Sequence, residues 1–274
     1  MTEDTWPTSP SGASRSAPLP RRPGVWTMTG HPVIVEALAR SGAAFLGIDF
    51  QHGFLGFDEV ARAIQIATLC NVPTYVRLSR EHVAWIPRVL DAGADGIIAA
   101  MVTGVDDVHR IVAATRYQPL GTRSYGGWRY GLRLEPPDPR QIPVQVYVMV
   151  ETPEAVESVD AIAATPHLSG IYLGPVDLAL ALSSAYPAQW GDVGWERAAR
   201  KTLNACHRFG LSAGTFAVHG LEAGRLFHEG FTDVVISSDV ALLRLALEEH
   251  LRLALNENTS TPCHDRDEER KKLP

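Results

Sequence analysis

The sequence predicts an α/β protein, a single (β/α)8 barrel domain with an extra C-terminal helix. Two observations carry that expectation. Short apolar runs alternate with amphipathic stretches, eight of each, which is the strand and helix count of a closed barrel. No GxGxxG follows the first run, so an open dinucleotide-binding sheet is the weaker fit. The length of 274 residues suits one large barrel.

Residues 1–23 are rich in Pro, Ser and Thr with few periodic apolar positions, and read as a disordered leader. The barrel is expected over 24–255, and a flexible, charge-mixed tail over 256–274. Within the barrel the strands fall at Val25–Thr29, Ala44–Asp49, Pro73–Arg77, Gly96–Ala100, Val144–Val150, Gly170–Leu173, Ser212–Phe216 and Asp233–Ser237. Each is a short, nearly continuous apolar run, as in a parallel sheet covered on both faces. The helices between and after them are Pro32–Ser41, Phe57–Cys70, His82–Ala92, Asp106–Thr115, Pro153–Ala164, Trp195–Phe209, Leu221–Glu229 and Asp239–Leu255. Several stop at glycine (Gly42, Gly93, Gly210, Gly230), where a residue of positive φ is wanted. The segment Gly121–Pro143, rich in Arg, Tyr and Trp, breaks the rhythm. It reads as a functional loop leaving the fourth strand on the rim where the βα loops gather.

Composition excludes several classes. Hydrophobic residues make up 45 % and the formal charge is −6, with no basic face for phosphate neutralisation. Three widely spaced cysteines form neither a CxxC motif nor a disulfide framework. No apolar stretch approaches the roughly 18 residues of a membrane helix, and the N-terminus lacks a signal-peptide core. A cytoplasmic protein with small-molecule ligands is expected, without nucleic-acid or membrane partners. Catalytic signatures such as GxSxG, the P-loop and HExxH are absent. The only lysines are Lys201, Lys271 and Lys272, none at a strand end, which argues against an imine-forming aldolase.

Barrel chemistry sits at the C-terminal ends of strands. There the sequence delivers Asp49 and His52 after the second strand, Arg77 at the third, Glu151 after the fifth and Asp177 after the sixth. Glu151 and Asp177 on neighbouring strands would raise each other's pKa unless a divalent cation lay between them, and all-oxygen ligation suits Mg²⁺ or Mn²⁺. The alternative is that each caps the helix that follows it. Arg77 at a buried strand end needs an anion, either a substrate carboxylate, a developing oxyanion or a neighbouring rim acid. His52 has the right intrinsic pKa for a general base, although a lone loop histidine is more often a surface residue.

These stretches — GIDFQHG, VRLS, VLDAGADGIIAAMV, ATRYQPLGTRS, VETPEAV and GPVDLA, in that order — resemble the HpcH/HpaI family of metal-dependent (class II) pyruvate aldolases, over about Gly24 to Leu255. The resemblance implies a lyase that reversibly cleaves a 4-hydroxy-2-oxo acid to pyruvate and an aldehyde through a metal-bound enolate. It implies Glu151 and Asp177 as ligands of Mg²⁺, Mn²⁺ or Co²⁺, and Arg77 on the keto or enolate oxygen. His52 with Asp91 resembles an acid/base pair, Asp49 a supporting acid, and Gly174, Pro175 and Val176 a cradle for the pyruvate carboxylate. Arg123 and Trp128 of the long loop are further candidates for substrate contact. A homo-oligomer, hexameric or trimeric, with an exchanged C-terminal helix is implied as well. Departures from the pattern are Gln51 for Glu, Leu78 for Pro, Met149 for Gln and Ser237 for Gly, and they bear on acceptor specificity. The competing expectations are an oxaloacetate decarboxylase resembling macrophomate synthase, a citrate lyase β-like enzyme acting on a CoA thioester, and a non-catalytic binding barrel.

Overall fold

The computed structural model describes residues 19–132, 135–182 and 192–255. Eight parallel strands close into a barrel in sequence order. They are β1 (Arg22–Thr27), β2 (Phe45–Asp49), β3 (Thr74–Leu78), β4 (Gly96–Ala99), β5 (Gln145–Val150), β6 (Gly170–Leu173), β7 (Ser212–Phe216) and β8 (Asp233–Ser238). The helices are α1 (Pro32–Ala39), α2 (Phe57–Leu69), α3 (Ile86–Asp91), α4 (Val105–Thr115), α5 (Trp128–Gly131), α6 (Pro153–Glu157), α7 (Val159–Ala163), α8 (Pro175–Ala181), α9 (Val193–Phe209), α10 (Gly220–Glu229) and α11 (Asp239–Leu255). By compactness the chain divides at Asp239 into a barrel unit and a second unit from Val240 onward. No described helix is long and apolar enough to cross a membrane.

Side chains alternate between two apolar layers. Ile48, Val76, Ile97, Val148, Ile171 and Val234 point outward into the helix-facing core. Trp26, Phe45, Tyr75, Ile98, Tyr147, Met149, Tyr172 and Val235 fill the interior. Four large rings fit inside because the registered partner on the next strand is a glycine: Gly24 opposite Phe45 and Gly47 opposite Trp26, then Gly170 opposite Tyr147 and Gly214 opposite Tyr172. A Cβ at Gly47 would lie 2.0 Å from the Trp26 ring, and one at Gly24 2.3 Å from Phe45. Below these rings the barrel floor is polar. Arg22 pairs with Asp233 at 2.9 Å and donates to Tyr75 Oη at 2.6 Å.

The structure differs from the sequence expectation in several places, among them two further short helices, α5 and α8. Strand β1 starts at Arg22, inside the segment read as a leader, because Arg22 and Pro23 pair with β8. The stretch 82–92 begins as a 3-10 turn (Arg80–Trp85) before α3, and Pro87 stands at the second residue of that short helix. The stretch 153–164 breaks at Ser158 into α6 and α7. Most important for function, the Gly121–Pro143 segment does not leave β4. It leaves the end of α4, where Thr122 N–H donates to Ala113 O and Arg123 N–H to Arg116 O. Helix α4 has already carried the chain back, so this loop lies on the rim of the strand N-termini. Residues 1–18 of the expected leader and 256–274 of the expected tail lie outside the described residues.

Candidate active site at the strand C-termini

The inward positions one step above the aromatic layer are polar. Asp49 follows Gly47 in β2, Arg77 follows Tyr75 in β3, and Glu151 follows Met149 at the end of β5, each two residues on and therefore on the same face. Strand alternation alone aims these three side chains into the barrel mouth.

Asp49 is fully buried. Its Oδ1 accepts from Arg77 Nε at 2.9 Å and its Oδ2 pairs with Arg77 Nη2. Oδ1 also accepts the N–H groups of Gln51 at 3.1 Å and His52 at 3.0 Å. One carboxylate thus presents the guanidinium and folds the loop that carries His52. Gly53 closes that loop, since a Cβ there would lie 2.2 Å from Asp49 O. Trp26 forms the floor beneath Arg77, with the guanidinium 5.2 Å from its ring centre. The rim-acid alternative for Arg77 is therefore realised.

Glu151 is almost wholly buried. Its Oε1 accepts the Met101 N–H at 2.7 Å. Its Oε2 lies against Gly174, where an added Cβ would come within 2.2 Å. Burial, reinforced by the Asp177 carboxylate, pushes Glu151 up to about 7, against the opposing pull of the Met101 N–H and Arg77. Asp177 is exposed, at the third position of α8, which Gly174 and Pro175 open. Neither acid is a helix cap. The cap of α6 is Thr152, which accepts from Ala155 N–H at 3.2 Å, and the cap of α8 is Gly174. With capping removed, a desolvated carboxylate beside a second one is suited to a hard divalent cation. Among the described residues no group of three or more His, Cys, Asp or Glu side chains gathers as a metal cluster.

The remaining candidates fall in different places. His52 is exposed at the mouth. Gly174, Pro175 and Val176 open α8 beside Glu151. Asp91, by contrast, ends α3 and accepts from Arg123 Nη2 at 2.7 Å. Arg123 is buried, with its guanidinium 4.7 Å from the Tyr117 ring centre. Asp91, Arg123 and the α5 backbone at Trp128 thus sit toward the strand N-termini, and the chain does not bring them to His52 or Glu151. The Trp128 side chain lies outside what the structure describes. Sequence reasoning missed Asp239, buried at the start of α11, which accepts from Thr27 Oγ1 at 3.0 Å, Met28 N–H at 2.9 Å and Thr29 Oγ1 at 2.8 Å. It ties the end of β1, and hence Trp26, to the rim. The Ser-Ser-Asp that ends β8 and starts a helix was its only signal.

A closed barrel with an arginine–aspartate pair and two acids at one mouth defines a class of enzyme sites rather than a single enzyme. Residues 22–246 match the family described as HpcH/HpaI aldolase/citrate lyase, and the chain belongs to that family. It is 32 % identical over 223 residues to a hydroxypyruvate/pyruvate aldolase of Rhizorhabdus wittichii, covering 81 % of this chain and 89 % of that one. It is 28 % identical to a 5-keto-4-deoxy-D-glucarate aldolase of Escherichia coli, covering 82 % and 89 %. Among solved structures, an HpcH/HpaI family protein from Burkholderia cenocepacia superposes with a TM-score of 0.79 at 28 % identity, covering 86 % of this chain and 95 % of that one.

Proposed function

We propose that the protein is a divalent-cation-dependent lyase that reversibly cleaves a 4-hydroxy-2-oxo acid into pyruvate, or a close 2-oxo acid, and an aldehyde. The observation that carries this reading is Glu151: buried, raised to about 7 and set beside Asp177 with Arg77 in electrostatic reach. Glu151 and Asp177 would hold Mg²⁺, Mn²⁺ or Co²⁺, which when bound supplies Lewis-acid polarisation of the keto group.

The chain's own residues do the rest. Arg77, oriented by Asp49, offers fixed positive charge where the enolate oxygen gains electrons. Gly174 and Pro175 set the start of α8, the Gly174 N–H being given to Val150 O at 3.1 Å and proline having none, so the first-turn N–H groups from Val176 onward suit the substrate carboxylate. In cleavage, His52 takes the proton of the C4 hydroxyl and the C3–C4 bond breaks. The aldehyde departs, and the electron pair passes into the enolate, which is then protonated at C3. Asp91 lies on the opposite rim, so it joins His52 only if a second copy of the chain supplies it. The described free cysteines, Cys70 and Cys206, are compatible with a cytoplasmic setting.

Hydrogen–deuterium exchange of the pyruvate methyl group, followed by NMR, tests the enolate half-reaction without knowledge of the aldehyde. Exchange that requires Mg²⁺ or Mn²⁺ and stops with a chelator is expected. Absence of exchange in folded protein with every cation tried would overturn the reading in favour of a CoA-thioester lyase or a non-catalytic barrel.

A further inference from the structure

Strand β4 changes phase at its end. Ile97 and Ala99 face the outer core, and Ile98 and Ala100 face the interior. Alternation then assigns Met101 outward and Val102 inward. The structure has the reverse: Met101 packs against the interior cluster, and Val102, 1 % exposed, joins the outer core. The reset comes from Met101 itself, which stands at φ +56°. That region suits glycine and, less well, Asn or Asp, whose side chains find local partners. Asn71, at φ +58°, fits that rule, whereas methionine brings no such partner.

The strained turn has one visible product. It points the Met101 N–H at Glu151 Oε1, at 2.7 Å. With Oε1 engaged, the carboxylate is fixed so that Oε2 lies over Gly174, the residue that opens the helix carrying Asp177. Among the described residues Asp177 has no such hydrogen bond, and it is exposed. The two acids therefore differ: one is set in advance and the other can close upon a ligand.

We propose that Met101 is a positioning residue, acting through its backbone: its left-handed turn aims an N–H at Glu151 and so presents the other carboxylate oxygen toward Asp177 for a divalent cation. This rests on the two-carboxylate reading of the site. Strain of this kind persists where surrounding structure enforces it, and it concentrates at functional sites. The side chain beyond Cβ contributes little to the device, because the donor is the amide.

The chain has four methionines, one of them the N-terminus, so selective ¹⁵N-methionine labelling reports on Met28, Met101 and Met149 alone. In cation-free protein the Met101 amide is expected to exchange with solvent at least about tenfold faster in Glu151→Ala than in the parent chain. Separately, Mn²⁺ affinity is measured for the parent and three variants. All three keep the amide donor; Met101→Gly and Met101→Ala take up the left-handed turn at least as readily as methionine and are expected to stay within about threefold of the parent, whereas Met101→Val, β-branched and ill suited to positive φ, weakens binding by about tenfold. Equal amide exchange in Glu151→Ala overturns the proposal, as does parent-like Mn²⁺ binding by folded Met101→Val. Loss of affinity in the Gly and Ala variants equal to that in Val also overturns it, assigning the role to the side chain. A protected Met101 amide in a parent chain that binds no Mn²⁺ overturns the cation reading itself, and the proposal with it.

Discussion

Glu151 is a carboxylate held out of water beside another acid, and its pH behaviour follows from that placement. Its folded-state pKa of about 7 lies above the ordinary value of 4.5, so the folded chain binds this proton more tightly than the unfolded one. In cation-free protein its contribution to stability is present below the unfolded pKa and is lost as pH rises toward 7. Thermal denaturation of parent and Glu151→Gln between pH 4.5 and 7.5 checks this, since the variant should lack that downward slope. A cation competes with the same proton. Mn²⁺ affinity is expected to rise about tenfold per pH unit below 7 and to level off above it. Titration calorimetry at several pH values measures it, and a pH-independent affinity would remove Glu151 from the ligand set. Asp177→Asn should leave the Glu151–Met101 bond intact yet lower Mn²⁺ affinity and methyl exchange by at least about a hundredfold, in keeping with loss of a charged ligand.

At the scale of elements, the site depends on what lies beneath it. Trp26 supports Arg77, and Trp26 fits only because β2 carries a glycine opposite it. Gly47→Ala is expected to cost about 1–3 kcal/mol through overpacking, lowering Tm by roughly 3–10 °C and displacing Arg77. Gly220→Ala, at the exposed first residue of α10, is the matched control, because nothing lies within 4 Å of an added Cβ there. Scanning calorimetry on both variants separates the two cases. The same elements show why some of the site was legible in the sequence. Buried parallel strands stand out as apolar runs, and an Asp, Arg or Glu at the run's end is visible without any long-range information. Met101 was not legible, since alternation places it outward and nothing local in Ala100-Met101-Val102 announces a left-handed turn. The partner of Asp91 was also hidden. Its pairing with Arg123 depends on the Gly121–Pro143 loop lying on the far rim, after α4 rather than after β4.

At the scale of the whole molecule, the barrel closes its own sheet within residues 22–238, but the chain leaves two things exposed. One is the second unit, where helix α11 carries Leu243, Leu247, Leu251 and Leu255, each more than half exposed. So large an exposed apolar face calls for a cover. The other is the separation of His52 from Asp91 within one chain. A second copy of the chain would resolve both, by covering α11 and by bringing an Asp91 to a neighbour's His52. Light scattering is expected to show an oligomer for the parent and a smaller species for the double variant Leu243→Glu, Leu247→Glu. Mn²⁺ binding should survive in that species, because Glu151 and Asp177 come from one chain. Aldol turnover should fall if Asp91 acts from a neighbour. A smaller species that retains full turnover would show that His52 works without Asp91, leaving the Asp91–Arg123 pair to hold the far rim together.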